Sequence, residues 1–209
     1  MKITEYIYGG KTRCVQAAFR MFVHAKTGKD IGCEKADKIT GYVEGRGTWQ
    51  FRMLLGLASF GLQVVDQENF DIELFLSDPE EAIRRQVGDP DTVAAIIQET
   101  DLEAEKTAVR KCLELQSVQF LEKVPARQDI LKYLEENWLL MVNVNRRILD
   151  GKPGREGHIL IVEALSGENI FCHDPGPGGG LNIPIKFDLF EVAWKSPEPD
   201  MANIIAVRG

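Results

Sequence analysis

The sequence has no dense cluster of Lys and Arg, no long apolar run and no Cys-x-x-Cys pair. Each absence removes a class of function. Among 209 residues, 25 are Lys or Arg and 32 are Asp or Glu, a formal net charge of −7, so neither nucleic acid nor an anionic membrane surface is an expected partner. No stretch is long and apolar enough to span a bilayer. The first ten residues carry Glu5 and no apolar run of the kind a signal peptide needs, which leads to the expectation of a cytoplasmic protein. The four cysteines, Cys14, Cys33, Cys112 and Cys172, are scattered. A disulfide framework or zinc knuckle is not indicated, and reduced thiols fit a chain that is not exported. There is no internal repeat. Gly10-Lys11-Thr12 is not the end of a phosphate loop, because the position for that loop's first Gly holds Glu5.

What is present is a composition of 44% hydrophobic and 27% charged residues, ample for a real core. It is read as one domain over residues 1–209 with a helical insertion at about 77–124. From Thr12 to Gly28 the apolar residues Cys14, Ala17, Ala18, Met21, Phe22 and Ala25 fall on one helical face, with Thr12 as expected N-cap and Gly28 as stop. Short helices are expected around Glu34 to Thr40 and from Trp49 to Phe60 with Thr48 as cap, then a short strand at Leu62 to Val65. Ser77-Asp78-Pro79 and Asp89-Pro90-Asp91 open helices, with Ser77 as the first capping hydroxyl. A long, charged, surface-facing helix is expected from Asp101 to about Leu121, and another from Arg127 to Asn137.

The texture then changes. Trp138 to Val144, Ile159 to Val162, Ile170 to Cys172, Ile183 to Ile185 and Ile204 to Val207 read as strands, with a helical turn or two at Asp188 to Trp194. The fold class is α+β, N-terminal helices packed on a C-terminal, mostly antiparallel sheet.

Three residues have the makings of a site. A thiol at Cys14, in the first turn of a buried helix, lies where free N–H groups and the helix dipole favour an anion. His158 follows Gly157 at the start of a strand, and Asp174 ends the next strand before Pro175. A hairpin centred on Gly167 sets His158 opposite position 176, with Asp174 two residues away on the same face. A carboxylate there orients the imidazole and stabilises its charged form, the third role in a nucleophile–base–orienter set. Taken singly, the residues have ordinary readings: a small apolar Cys in a core, a strand-start His, an Asp-Pro turn.

The order of Cys on an N-terminal helix, then Gly-His entering a strand, then Asp-Pro closing the next, resembles the papain-like cysteine peptidases of the double-glycine-leader, bacteriocin-processing type. Cys14, Ala17, Ala18 and Met21, then Gly157-His158, Asp174-Pro175 and Phe187 to Trp194 carry the resemblance at both ends of the chain. It implies a papain-like fold and a peptidase or amidase with Cys14, His158 and Asp174 as the catalytic residues. It also implies a peptide or small amide substrate and no cofactor. Two positions depart from the family pattern. Tyr8 stands where a Gln six residues before the Cys helps bind the oxyanion, and Val15 stands where a Gly follows the Cys. Tyr8 is thus the candidate oxyanion donor beside the Cys14 N–H. The same departures define an alternative: an inactive relative serving as a peptide-binding or interaction module.

Cys172-His173-Asp174 contains three potential metal ligands, but neighbours on a strand point to opposite faces and no metal site is expected. The glycine-rich stretch from Gly176 to Gly180 reads as a flexible loop near the site, with a substrate rim as the sharper possibility. His24 is read as an ordinary surface or core residue. The sequence does not specify an oligomeric state.

Overall fold

Helix α1 (Cys14–Thr27) forms where the apolar spacing places it, and it ends as Gly28 turns left-handed at φ 72°. Burial runs almost round it: Ala17, Ala18, Phe19, Met21, Phe22 and Val23 are all buried. It is a core helix with its first turn at the molecular surface. In the computed structural model, which describes all residues Met1–Gly209, nine further helices and seven strands follow. They are α2 (Cys33–Thr40), α3 (Gln50–Ser59), β1 (Gln63–Glu68), α4 (Ile72–Ser77), α5 (Pro79–Val87), α6 (Pro90–Glu99), α7 (Leu102–Leu113) and β2 (Val118–Glu122). The second half holds α8 (Arg127–Glu135), β3 (Leu139–Asn145), α9 (Arg146–Leu149), β4 (Gly157–Ser166), β5 (Asn169–Asp174), β6 (Gly180–Lys186), α10 (Phe187–Trp194) and β7 (Asn203–Arg208).

The fold is α+β around one mixed sheet in the order β2-β1-β7-β3-β4-β5-β6. Only β1 and β2 run parallel; the other pairings are antiparallel. Alternation along the strands divides the core between the two faces. Met141, Ile159, Ile161, Ile205 and Val207 pack with α1, α3 and α7, while Leu140, Val142, Leu160, Val162 and Ala206 pack with α8 and α10. No helix is long and apolar enough to cross a membrane.

Several local expectations are corrected. The helix expected from Asp101 to about Leu121 stops at Leu113, and Val118–Glu122 is the edge strand β2, paired in parallel with β1. A parallel partner lies far off in sequence, and local periodicity cannot report it. The block from residue 77 to 124 is therefore not wholly helical. Nor is α7 only a solvated face: Ala108, Val109 and Cys112 are buried, and Glu105 pairs with Arg52 of α3 at 2.6 Å.

Three caps also differ. Thr12 does not cap α1; Arg13 occupies that position without a side-chain cap, and the Thr12 hydroxyl meets that of Tyr42. Thr48 lies one residue before the N-cap of α3 and accepts instead from Gln16. Ser77 ends α4, and the Asp78 carboxylate caps α5 by accepting from the Glu81 N–H.

One buried group sets a pH dependence. Asp66 of β1 is 2% exposed and neither carboxylate oxygen has a hydrogen-bond partner. Burial, with the neighbouring charge of Glu68, pushes its pKa well up. Glu68 itself rises to about 7 through burial, although the Gln50 amide donates to it. Folded chains thus hold protons on these two groups that unfolded chains release near pH 4, so the pair's contribution to stability is greatest below that range and falls as pH rises toward about 7. Asp66→Asn is expected to flatten this slope and to stabilise the protein at pH 8 by on the order of 1–3 kcal/mol. Thermal or urea unfolding of both proteins at pH 5 and pH 8 checks it; an unchanged slope contradicts it.

Candidate active site

The start of α1 is fastened to the loop after β5. Gly9 N–H donates to the Pro175 carbonyl at 2.8 Å, and the Tyr6 hydroxyl reaches the Gly176 carbonyl at 3.4 Å. Arg13 N–H closes the turn onto Gly9, and a Cβ at Gly9 would sit 2.5 Å from the Arg13 carbonyl oxygen. Cys14 is thereby set against β4. No acidic residue occupies the first turn of α1, and the N–H groups of Cys14, Val15 and Gln16 find no acceptor in the turn before it. These are the orphan donors of an uncapped helix end, open to an anion.

The hairpin register brings His158 and Asp174 together. Ile161 pairs with His173 and Val162 with Cys172, both symmetric about Gly167, and the same register carries His158 opposite Gly176. Nearer the turn the pairing differs by one, Ser166 with Asn169, and the slip is absorbed between Val162 and Ala164. That bulge at Glu163 puts the two site residues in step. His158 Nε2 lies 2.7 Å from Asp174 Oδ1. An ionised carboxylate only accepts, so Nε2 carries the proton and donates, which leaves Nδ1 for the thiol.

Each titration follows from these neighbours. Burial pushes the Cys14 thiol up, but the His158 imidazole beside it and the N–H groups of Ile159 and Val15 outweigh burial, and the net shift is downward. Burial would lower His158; the hydrogen bond to Asp174 and the adjoining Cys14 raise it to about 9. Asp174 is raised by burial and lowered more by His158, by the Gly176 N–H at 2.8 Å and by Arg146, so it stays a carboxylate.

Two more residues complete this arrangement: Arg146, which the sequence does not single out, and Gly176, which it reads as the start of a loop near the site. The Arg146 guanidinium pairs with Asp174 Oδ2, and also donates to Asp150 at 2.9 Å and to the Pro177 carbonyl at 3.3 Å. Its place follows from the strand ladder, since Arg146 N–H continues the β3–β4 pairing onto the Glu156 carbonyl. Gly176 lies against the imidazole: a Cβ there would come 2.5 Å from His158 Cε1 and 3.1 Å from Asp174 Oδ1. The hairpin register sets position 176 opposite His158, but it does not say that the two are close enough to exclude a Cβ. The stretch expected as a flexible loop begins as a turn closed by Gly179 N–H on the Gly176 carbonyl, pressed against the His–Asp pair.

Cys14, His158 and Asp174 thus meet, with Cys14 and His158 lining a cleft of about 390 Å³. Tyr8 does not join them; its side chain is 57% exposed and does not line the cleft. The Gln16 amide is held by Thr40 and Thr48 at 2.9 and 3.2 Å and is buried. His24 pairs with Glu5, and His173 lies between the Asn182 N–H and Glu163. Cys172 packs on the opposite side of β5, and no group of three His, Cys, Asp or Glu side chains is placed to hold a metal. No protein-family model matches the chain, and no curated protein matches it in sequence.

Proposed function

We propose that the protein is a cysteine peptidase or amidase of the papain-like kind, with Cys14 as nucleophile, His158 as acid–base and Asp174 as orienter. One observation carries the reading: a thiol at an uncapped helix start, its pKa lowered, beside an imidazole raised to about 9 and bonded to a buried carboxylate. His158 takes the Cys14 proton and the thiolate attacks an amide carbonyl carbon. The backbone N–H of Cys14 holds the oxyanion, as the helix end leaves it free. Collapse of the tetrahedral species breaks the C–N bond, His158 gives its proton to the departing amine, and a water deprotonated by His158 hydrolyses the thioester. Arg146 and Gly176 act through Asp174 and the ring, as positioning residues.

A second reading has its own observation. Tyr8 is exposed and does not line the cleft, so the position that carries an oxyanion-binding Gln in the resembled family supplies no donor beside the Cys14 N–H. Loss of one oxyanion donor typically costs on the order of 10²–10³ in rate. A chain of this kind that binds peptide without cleaving it is therefore the alternative. Incubation with a complex peptide mixture, read by mass spectrometry for new termini, separates the two. The enzyme yields products absent with Cys14→Ala. Identical spectra from both proteins overturn the catalytic reading.

A further inference from the structure

The charge of the cleft runs against the charge of the chain. The protein has 32 acidic and 25 basic residues, yet none of the 17 residues lining the cleft at Cys14 is acidic. Besides the Cys14–His158 pair, whose charges offset one another, two carry a positive charge, Lys11 and Arg46. Both are exposed, neither forms an ion pair, and Arg46 has only the Glu99 backbone carbonyl, at 3.0 Å, as a side-chain partner. The cations around them are committed elsewhere: Arg13 to Asp37, Arg146 to Asp150 and Asp174, Arg147 to Glu156 and Lys152 to Asp150. The same lining includes Met53, Met141 and Ile205, all buried, and the Asn143 amide. The unfilled N–H groups of the first turn of α1 add positive potential at the same place. A low-dielectric cleft focuses such charge.

Building on the peptidase reading, we infer that the substrate carries a carboxylate close to the scissile amide, held by Lys11 and Arg46. Shape alone does not say whether that carboxylate is an acidic side chain or a free chain terminus. Both offer the same charge to the same two cations, and a peptide series tells them apart.

The electrostatic part is tested without turnover, by labelling Cys14 with anionic iodoacetate and neutral iodoacetamide. Lys11→Gln/Arg46→Gln is expected to lower the iodoacetate-to-iodoacetamide rate ratio at Cys14 about tenfold at low salt, with the difference shrinking as salt is added. A ratio equal to that of the native protein overturns the inference. Occupancy is tested by protection of Cys14 from iodoacetamide with acetyl-Ala-Glu-Ala-amide, its Gln and Lys counterparts, and acetyl-Ala-Ala-Ala with a free carboxylate. Protection by the Glu peptide at about tenfold lower concentration than by Gln or Lys supports a side-chain carboxylate; the same advantage for the free-terminus peptide supports a terminal one. Protection by Gln or Lys equal to that by either carboxylate peptide, or protection by neither, overturns it. The peptidase reading fails on a different observation, an iodoacetamide pH profile at Cys14 like that of an ordinary thiol.

Discussion

His158→Ala is expected to slow iodoacetamide labelling of Cys14 near pH 6 by about a hundredfold, with little change above pH 9. The sign follows from the two shifts. Cys14 is lowered and His158 is raised to about 9, so thiolate and imidazolium coexist over a range that opens below the ordinary thiol range and closes at about pH 9. Without the imidazole, burial is the dominant influence on the thiol, and it ionises only in the alkaline range, where native and variant rates converge. The chain supplies its own reference. Cys33 is an exposed thiol outside the site, while burial pushes Cys112 up to about 12 and pushes Cys172 up as well. Peptide-resolved mass spectrometry of the labelled protein therefore reads Cys14 against Cys33 in one sample. Native Cys14 labelling that tracks Cys33 across the pH range contradicts the ion pair.

Gly176→Ala is expected to have an effect nearly as large, through geometry rather than charge. An added Cβ would lie 2.5 Å from His158 Cε1 and 3.1 Å from Asp174 Oδ1, so the ring and the turn that carries residue 176 must move apart, which disturbs the His158–Asp174 pair. A displacement near 1 Å in such a site costs about a hundredfold in rate. Hydrolysis and low-pH labelling of Cys14 fall together in this variant, because both need the oriented imidazole. Gly180→Ala is the matched control: its Cβ would find only Ile183 Cδ1, at an ordinary 3.9 Å. Native labelling and activity in Gly176→Ala would show that the ring is not held as described. Loss of both with an unchanged unfolding temperature places the damage at the site and not in the fold.

The contrast between these residues shows what a sequence can say about such a site. His158 and Asp174 are legible because strand alternation and one hairpin centre fix their relation, and the relation survives a bulge that the sequence does not reveal. The position of Cys14 is legible as well, since its helix follows from apolar spacing and a terminal Gly28. Arg146 was hidden because an Arg after an apolar strand looks like any solvated cation. Only the β3–β4 pairing turns it toward Asp174. Gly176 is legible as the position opposite His158, but the closeness that leaves no room for a Cβ there is set by the packing of the turn and not by the register.

Strand β2 marks the same boundary in the fold. Val118 and Phe120 follow a strongly helical stretch, and their partner is a parallel strand some fifty residues earlier. The caps at Thr12, Thr48 and Ser77 were misplaced by one or more positions because hydroxyls that could cap a helix are used elsewhere. For α1 that misplacement has a consequence at the site. A helix start without a capping side chain keeps its N–H groups free beside the thiol.

The most direct test is titration of the thiolate by its ultraviolet absorbance, taken as the difference between the native protein and Cys14→Ser and repeated in the His158→Ala background. The native difference spectrum is expected to show thiolate at lower pH than an ordinary thiol does and to shift to higher pH when His158 is replaced. A Cys14 thiolate that appears only at alkaline pH, identically with and without His158, would contradict the account.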